Sequence, residues 1–370
     1  MHLTDTFSDR ALTQPLVERM GSLAEKLAPR QVRIMEVCGS HTMSFFRTGV
    51  RSLLPDNVIL LSGPGCPVCV TPNRELDQMI ALASLPNVTV ATFGDMLRVP
   101  GSQSSLVQAR TSGADVRVVY SPMDALAFAE EDPTREVVFL GVGFETTAPT
   151  VAATVLEAER RGLENFSVLV AHKLVPPALR ALLASGEVRI DAFILPGHVS
   201  TIIGAEPYAF LEHEFGIPSV IAGFLPTDLL EGVVGCLELI ADSQAEVRNR
   251  YARFVRELGN VAAKSVLEEV FEPSDAEWRG FGVIPQSGLK LRSHLRRFDA
   301  LERFTLDLPE PREVRGCLCG DVLKGVVIPD ECKLFGTACT PENPIGPCMV
   351  SSEGACAAHY KYGPRRAVKV

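Results

Sequence analysis

Val58-Ile59-Leu60-Leu61-Ser62-Gly63-Pro64-Gly65-Cys66-Pro67-Val68-Cys69-Val70-Thr71-Pro72 decides the fold of this 370-residue chain. Val58 to Leu61 read as a strand, and Ser62 to Cys69 as a glycine- and proline-rich turn. Thr71 and Pro72 then supply an N-cap and an N1 proline for a helix through Ala83. The same grammar extends both ways. Residues 32–37, Val-Arg-Ile-Met-Glu-Val, form a strand running into Cys38-Gly39-Ser40-His41-Thr42, and a strand from Val88 to Thr92 closes on Phe93-Gly94-Asp95-Met96-Leu97. Strand, polar turn and helix in alternation predict a parallel α/β unit.

The pattern then repeats. Val137 to Leu140 is a strand ending in Gly141-Val142-Gly143-Phe144-Glu145-Thr146-Thr147, with a helix from about Pro149. Phe193-Ile194-Leu195 leads into Pro196-Gly197-His198-Val199-Ser200, and Pro218 to Ala222 leads to Phe224-Leu225-Pro226-Thr227-Asp228. Pro64 to Phe93 spans 29 positions and Pro196 to Phe224 spans 28, which predicts two similar parallel α/β domains, over residues 1–125 and 126–241. Ligands of open parallel sheets sit outside the carboxyl ends of the strands. Two such sheets facing each other would gather every turn named above into one central cleft.

Composition narrows the function classes. The chain is 46% hydrophobic and 22% charged, with a net charge of −9 and no basic run to follow a phosphate backbone, so nucleic acid is not an expected partner. No stretch approaches the ~20 apolar residues of a membrane span. The N-terminus, Met-His-Leu-Thr-Asp-Thr-Phe-Ser-Asp-Arg, lacks the cationic head and apolar run of a signal peptide, so a cytoplasmic location and reduced thiols are expected for its ten cysteines.

From Asp242 onward the texture changes, and residues 242–370 read as a third domain. Val247, Tyr251, Phe254 and Leu258 stand at helical spacing, predicting an amphipathic helix over 242–257. Beyond Glu272 the chain reads as irregular, with eight prolines before residue 350. Six cysteines follow at C-x-C-x12-C-x6-C-x8-C-x7-C: Cys317, Cys319, Cys332, Cys339, Cys348 and Cys356. Four thiolates on loops suit a 4Fe–4S cluster, and so little regular apolar pattern would need an inorganic core to hold it. Structural zinc, the rival, favours tight C-x2-4-C knuckles, which this segment lacks.

Single residues carry further chemistry. Cys66 and Cys69 precede a helix start, whose amides and dipole favour a thiolate. Glu145, by default a solvated carboxylate, becomes a proton donor or acceptor where its loop meets a cleft. His41 and His198 sit in matched turns of the two halves. Gly141-x-Gly143 lacks the third glycine of a dinucleotide fingerprint, because Thr146 stands there, and no Walker-type loop is present, which argues against NAD and ATP. Cys236, in the apolar run Leu229 to Ile240, reads as core.

Five blocks in order then carry a resemblance over about residues 30–363. Glu36-Val37-Cys38-Gly39-Ser40-His41-Thr42, Gly63-Pro64-Gly65-Cys66-Pro67-Val68-Cys69-Val70, Gly143-Phe144-Glu145-Thr146-Thr147, Pro196-Gly197-His198-Val199-Ser200 and Met349-Val350-Ser351-Ser352-Glu353-Gly354-Ala355-Cys356 resemble the signature blocks of the HypD family. Met43 departs from that pattern, standing where a second histidine is expected after Thr42. The resemblance implies a scaffold of nickel–iron hydrogenase maturation. With a small HypC-like chaperone it would assemble an iron bearing two cyanides and one carbon monoxide, the cyanide coming from HypE with HypF. It implies Cys38 as the transient iron ligand, with His41 placed to orient or deprotonate it, and Cys66 and Cys69 as a redox pair exchanging electrons with the cluster. Glu145, Thr146, Thr147 and His198 would line the cleft and bind or protonate the ligand precursors. Cys319, Cys332, Cys339 and Cys356 are the implied cluster ligands, with Cys348 and then Cys317 as rivals. A stand-alone ferredoxin-type thiol–disulfide oxidoreductase is the alternative, and a zinc-stabilised binding module a third. Cys38 discriminates the first two, since a pure reductase has no use for it.

Overall fold

Strand and helix alternate through the first two-thirds of the chain. In the computed structural model, which describes residues 10–363, nine strands run in order: β1 (Val32–Glu36), β2 (Val58–Ser62), β3 (Val88–Thr92), β4 (Asp115–Val118), β5 (Glu136–Gly143), β6 (Phe166–His172), β7 (Ala192–Pro196), β8 (Ser219–Ala222) and β9 (Val247–Asn249). They make two wholly parallel sheets, ordered β2-β1-β7-β8-β9 and β4-β3-β5-β6. Every residue of β3, β7 and β8 is buried, as expected of parallel strands covered by helices on both faces. The apolar helix Pro226–Ala241 covers one face of the first sheet and packs against Arg10–Leu27. Cys236 is buried in that helix with its thiol 3.5 Å from the Phe193 carbonyl, as the sequence implies for a core position. The N-terminal segment read for export signals lies outside the described residues, apart from Arg10. Among the described residues no helix is long and apolar enough to cross a membrane.

Strand pairing cuts across the division at residue 125. β3 and β4 lie in the second sheet beside β5 and β6, and the chain returns to the first sheet only at β7. The first α/β unit is therefore built from residues 32–62 and 192–249, the second from 88–172. The matched turns after β2 and β7 belong to one sheet, whereas those after β3 and β8 belong to different ones. They resemble each other because each ends a buried parallel strand that must turn sharply into a helix, not because a domain is duplicated.

Two expectations for the third segment fail. No helix occupies 242–257. Ser243 takes a left-handed φ of 54° after Ala241, and Val247–Asn249 instead adds β9 to the open edge of β8, with Val247 opposite Ser219. Pairing with β8 covers that strand's open edge and satisfies the backbone groups that face it, and Phe254 and Leu258 are left exposed. Past Glu272 the chain is not irregular at first: β10 (Phe271–Trp278) and β11 (Gly282–Leu291) form an antiparallel hairpin with a register shift between Ser274 and Ala276. The cysteine-rich end then carries the short helices Cys319–Leu323, Pro347–Val350 and Ala355–Tyr362, with a 3-10 turn at Pro329–Glu331.

The carboxyl ends of the two sheets face a common cleft of about 220 Å³. Pro67 and Val68 line it from the first sheet, Asp95, Thr146 and Thr147 from the second, and Glu353 from the cysteine-rich end.

Candidate functional site

Cys38 caps the helix Gly39–Arg47 in an extended conformation, directly after β1. Its carbonyl accepts from the backbone N–H groups of His41 and Thr42 at 2.9 and 3.1 Å. Expected at the cleft mouth, the thiol is in fact 7% exposed, covered by the Ser351–Glu353 loop, whose Glu353 takes the Ser40 hydroxyl. Burial, reinforced by the Glu353 carboxylate, pushes the Cys38 thiol up to about 12. Glu36, buried at the end of β1, takes the Thr42 hydroxyl and the Cys38 N–H, the latter at 3.4 Å. Burial outweighs those bonds and raises its carboxyl to about 8.

The Cys66 turn is seated on the Cys38 turn. Gly39 N–H donates to Gly65 O at 2.8 Å, and Gly65 lies so close that a Cβ there would be 2.2 Å from Cys38 N. Only glycine fits. Cys66 and Cys69 form a disulfide across one helical turn of their own, Pro67–Val70, with Cα atoms 5.2 Å apart. The next helix begins at Asn73 with Pro72 as its N-cap, so the helix start expected to act on these thiols lies beyond them.

The two histidines meet through Phe224, two residues past the end of β8. His41 stacks on its ring at 4.5 Å and His198 at 3.8 Å. His41 Nε2 donates to Gly223 O at 2.9 Å, which leaves Nδ1 as a buried lone pair without a partner. Burial holds the ring neutral, with its pKa down to about 4. His41 thus holds the Cys38 turn through its backbone N–H, while its imidazole is committed to the Ala222 and Gly223 carbonyls. His198 is exposed beside it, stacked on Phe224, and is not among the residues that line the cleft where it was expected.

Thr146 and Thr147 line the cleft as expected. Glu145 lies behind them, buried rather than solvated: Oε1 accepts from Val175 N–H at 2.9 Å and Oε2 has no partner. Burial raises its carboxyl to about 7, which places a proton donor and acceptor near neutrality. The buried Tyr208 hydroxyl, 3.4 Å from Ser200 Oγ, feels both Glu145 and Cys38.

All six C-terminal cysteines line one pocket, with Leu334, Phe335 and Met349. Their sulfurs interact in a chain, Cys317 with Cys319, Cys319 with Cys348, and Cys348 with Cys356. Ile345 N–H donates to Cys339 Sγ at 3.3 Å. Hydrogen bonds from Cys317 and Cys348, with the Arg279 charge nearby, hold the Cys319 thiol well below its ordinary value; Cys348, as a donor, is pushed up. Cys317 and Cys348 therefore share the pocket with the four expected ligands. Among the described residues no three thiol, imidazole or carboxylate groups converge as a metal site. Six thiols ringing one apolar pocket are the donor type that an iron–sulfur cluster takes. The helices bearing Cys319 and Cys348 pack directly on Pro67–Val70, so the disulfide and these cysteines share one core.

Sequence reasoning missed Glu36, Asp95, Tyr208, Phe224, Arg279 and Glu353 as parts of this region. Glu36 and Glu353 fall inside the quoted blocks, and Phe224 opens an echoed turn, so position alone could have marked them. Tyr208 carries no such signal.

The family model described as "Hydrogenase formation hypA family", HypD, matches residues 11–363. The chain is 47% identical over 377 residues to the "Hydrogenase maturation factor HypD" of Rhodobacter capsulatus, covering 100% of both chains. It is 47% identical over 369 residues to the protein of the same name from Escherichia coli (strain K12), covering 98% of each. A "putative hydrogenase expression/formation protein" of Methanocaldococcus jannaschii is 44% identical over 357 residues, covering 96% of this chain and 98% of its own.

Proposed function

The chain belongs to the HypD family of hydrogenase maturation factors, and from that premise we propose that it is a cytoplasmic scaffold on which the iron centre of nickel–iron hydrogenase is built. The iron is its cargo, held on Cys38 together with a HypC-like chaperone while cyanides from HypE, with HypF, and one carbon monoxide are added. One observation carries the reading: three thiol sites stand in series, the Cys38 turn on the Cys66–Cys69 turn, and that turn on the helices of Cys319 and Cys348.

Each residue has a task in that arrangement. The His41 and Thr42 N–H groups fix the Cys38 turn through its carbonyl, and burial keeps the thiol protonated until a cation displaces the proton. A soft thiolate suits low-spin iron. The cleft hydroxyls of Thr146 and Thr147 bind ligand precursors, and Glu145 gives or takes protons behind them. The Cys66–Cys69 disulfide takes up two electrons and two protons to become two thiols, and returns them on re-forming. Cys319, Cys332, Cys339 and Cys356 would hold a 4Fe–4S cluster, whose chemistry is one-electron supply beside that pair.

The bonded Cys66–Cys69 pair also fits a stand-alone thiol–disulfide oxidoreductase, which would have no use for Cys38. Anaerobic iron counting on the complex with a HypC-like partner separates the two. Cys38→Ala should keep the cluster iron and lose the additional iron. Equal iron in both proteins would favour the oxidoreductase.

A further inference from the structure

Arg279 stands at the seam between the two groups of cysteines, and neither group uses it as a ligand. It lies in the turn between β10 and β11 and is 5% exposed. Its backbone N–H donates to Val70 O at 2.8 Å. Its guanidinium Nη2 donates to Thr71 O at 2.9 Å and Asn73 Oδ1 at 2.7 Å, and Nη1 reaches the Glu313 carboxylate at 2.8 and 3.0 Å. Nε is buried without a partner. The first three bonds grip the carboxyl end of the Cys66–Cys69 turn.

The other side of the same turn lies against the cysteine pocket. Gly280 takes a left-handed φ of 82°, and a Cβ on it would lie 2.5 Å from Gly320 Cα, so the hairpin tip rests on the residue after Cys319. Arg279 and Cys317 line one small cavity. Glu313, the one carboxylate partner of Arg279, is 67% exposed, so water screens much of its countercharge. A buried cation is thus held where two sets of sulfur chemistry meet.

We propose that Arg279 is a positioning residue that couples the two sites, clamping the Cys66–Cys69 turn through Thr71 and Asn73 while fixing a positive charge beside Cys317 at the edge of the cysteine pocket. The inference rests on the iron–sulfur reading of the C-terminal pocket. A fixed positive charge beside a thiolate-held cluster favours its more negative, reduced state and so raises its reduction potential. Lysine would keep the charge but lose the planar fork; glutamine would keep one donor and lose the charge.

The test uses the full-length protein, purified anaerobically as wild type, Arg279→Gln and Arg279→Lys. Iron content, the cluster midpoint by redox titration followed by electron paramagnetic resonance, and the alkylation rate of reduced Cys66 and Cys69 are measured. With full iron, Arg279→Gln should show a reduced-to-oxidised ratio about tenfold lower at the wild-type midpoint, a shift of about 59 mV for a one-electron couple. Arg279→Lys should stay within about threefold, yet both variants should alkylate severalfold faster. A fully loaded Arg279→Gln with the wild-type midpoint overturns the proposal, whatever happens to alkylation. Should Arg279→Gln fail to fold, Arg279→Lys decides: faster alkylation at an unshifted midpoint supports the coupling, and a wild-type alkylation rate overturns it. Wild type without cluster iron would defeat the iron–sulfur reading itself, and the proposal with it.

Discussion

Replacing Gly65 with alanine should separate the Cys38 turn from the Cys66–Cys69 turn. An ideal Cβ at Gly65 would lie 2.2 Å from Cys38 N and 2.4 Å from both Cys38 Cα and Val37 C. All three are backbone atoms, so no side-chain rotation relieves the clash. Going from 2.2 Å to the 3.4 Å of ordinary contact moves one turn by about 1.2 Å against the other. Gly65 does not use a left-handed backbone, so alanine adds no conformational strain and the effect is wholly steric. The displacement breaks the Gly39 N–H bond to Gly65 O in a buried place. Overpacking and the unmade hydrogen bond together put the loss at roughly 2–5 kcal/mol. Urea unfolding followed by circular dichroism measures that loss, and iodoacetamide labelling should find Cys38 more reactive than in the wild type, where it is enclosed. An alanine variant within about 0.5 kcal/mol of wild type, with Cys38 still slow to label, would refute the packing of the two turns.

His172 ends β6 fully buried, with neither ring nitrogen bonded, and burial, helped by the Lys173 charge, lowers its pKa from 6.5 to about 3. The folded state keeps it neutral while the unfolded chain takes up a proton below 6.5, so its contribution is present above that pH and is lost as pH falls toward 3. Between pH 7.5 and 5 the wild type should therefore lose about 2 kcal/mol more than His172→Leu. Urea unfolding followed by Trp278, the single tryptophan, measures the difference, and parallel curves for the two proteins would contradict it. Anaerobically purified protein should be brown, and Cys332→Ala or Cys339→Ala should bleach it and expose the C-terminal segment to protease; retained 4Fe–4S absorption in both variants would remove these ligands from the assignment.

The fold class was legible because the buried parallel strands write themselves as short apolar runs that stop at Gly and Pro, as in Val58–Ser62 and Ala192–Pro196. Which strands pair was not, because one strand end resembles another. The turns after β2 and β3 are equally good starts for a helix, and nothing local says that the chain changes sheet between them. Tyr251 and Phe254 misled for a related reason: their helical spacing is real, but the free edge of β8 captures Val247–Asn249 first. In the candidate site, cysteine spacing foretold a shared pocket but could not rank six thiols that all face it. Burial was the harder quantity. Cys38 and Glu145 read as turn residues at a cleft, and only the C-terminal loop carrying Glu353, some 300 residues away from Cys38 in sequence, encloses the Cys38 turn.

Cys38 is where the account is most exposed. A small buried thiol would tolerate serine at modest cost, whereas a thiolate that holds iron would not, since a hydroxyl is a hard and poor donor to low-spin iron. The decisive measurement is the infrared spectrum of the anaerobic complex with a HypC-like partner, compared between wild type and Cys38→Ser. The account predicts cyanide and carbonyl stretching bands in the wild type and none in Cys38→Ser, with fold, cluster absorption and partner binding retained. Bands of wild-type intensity in Cys38→Ser would contradict it.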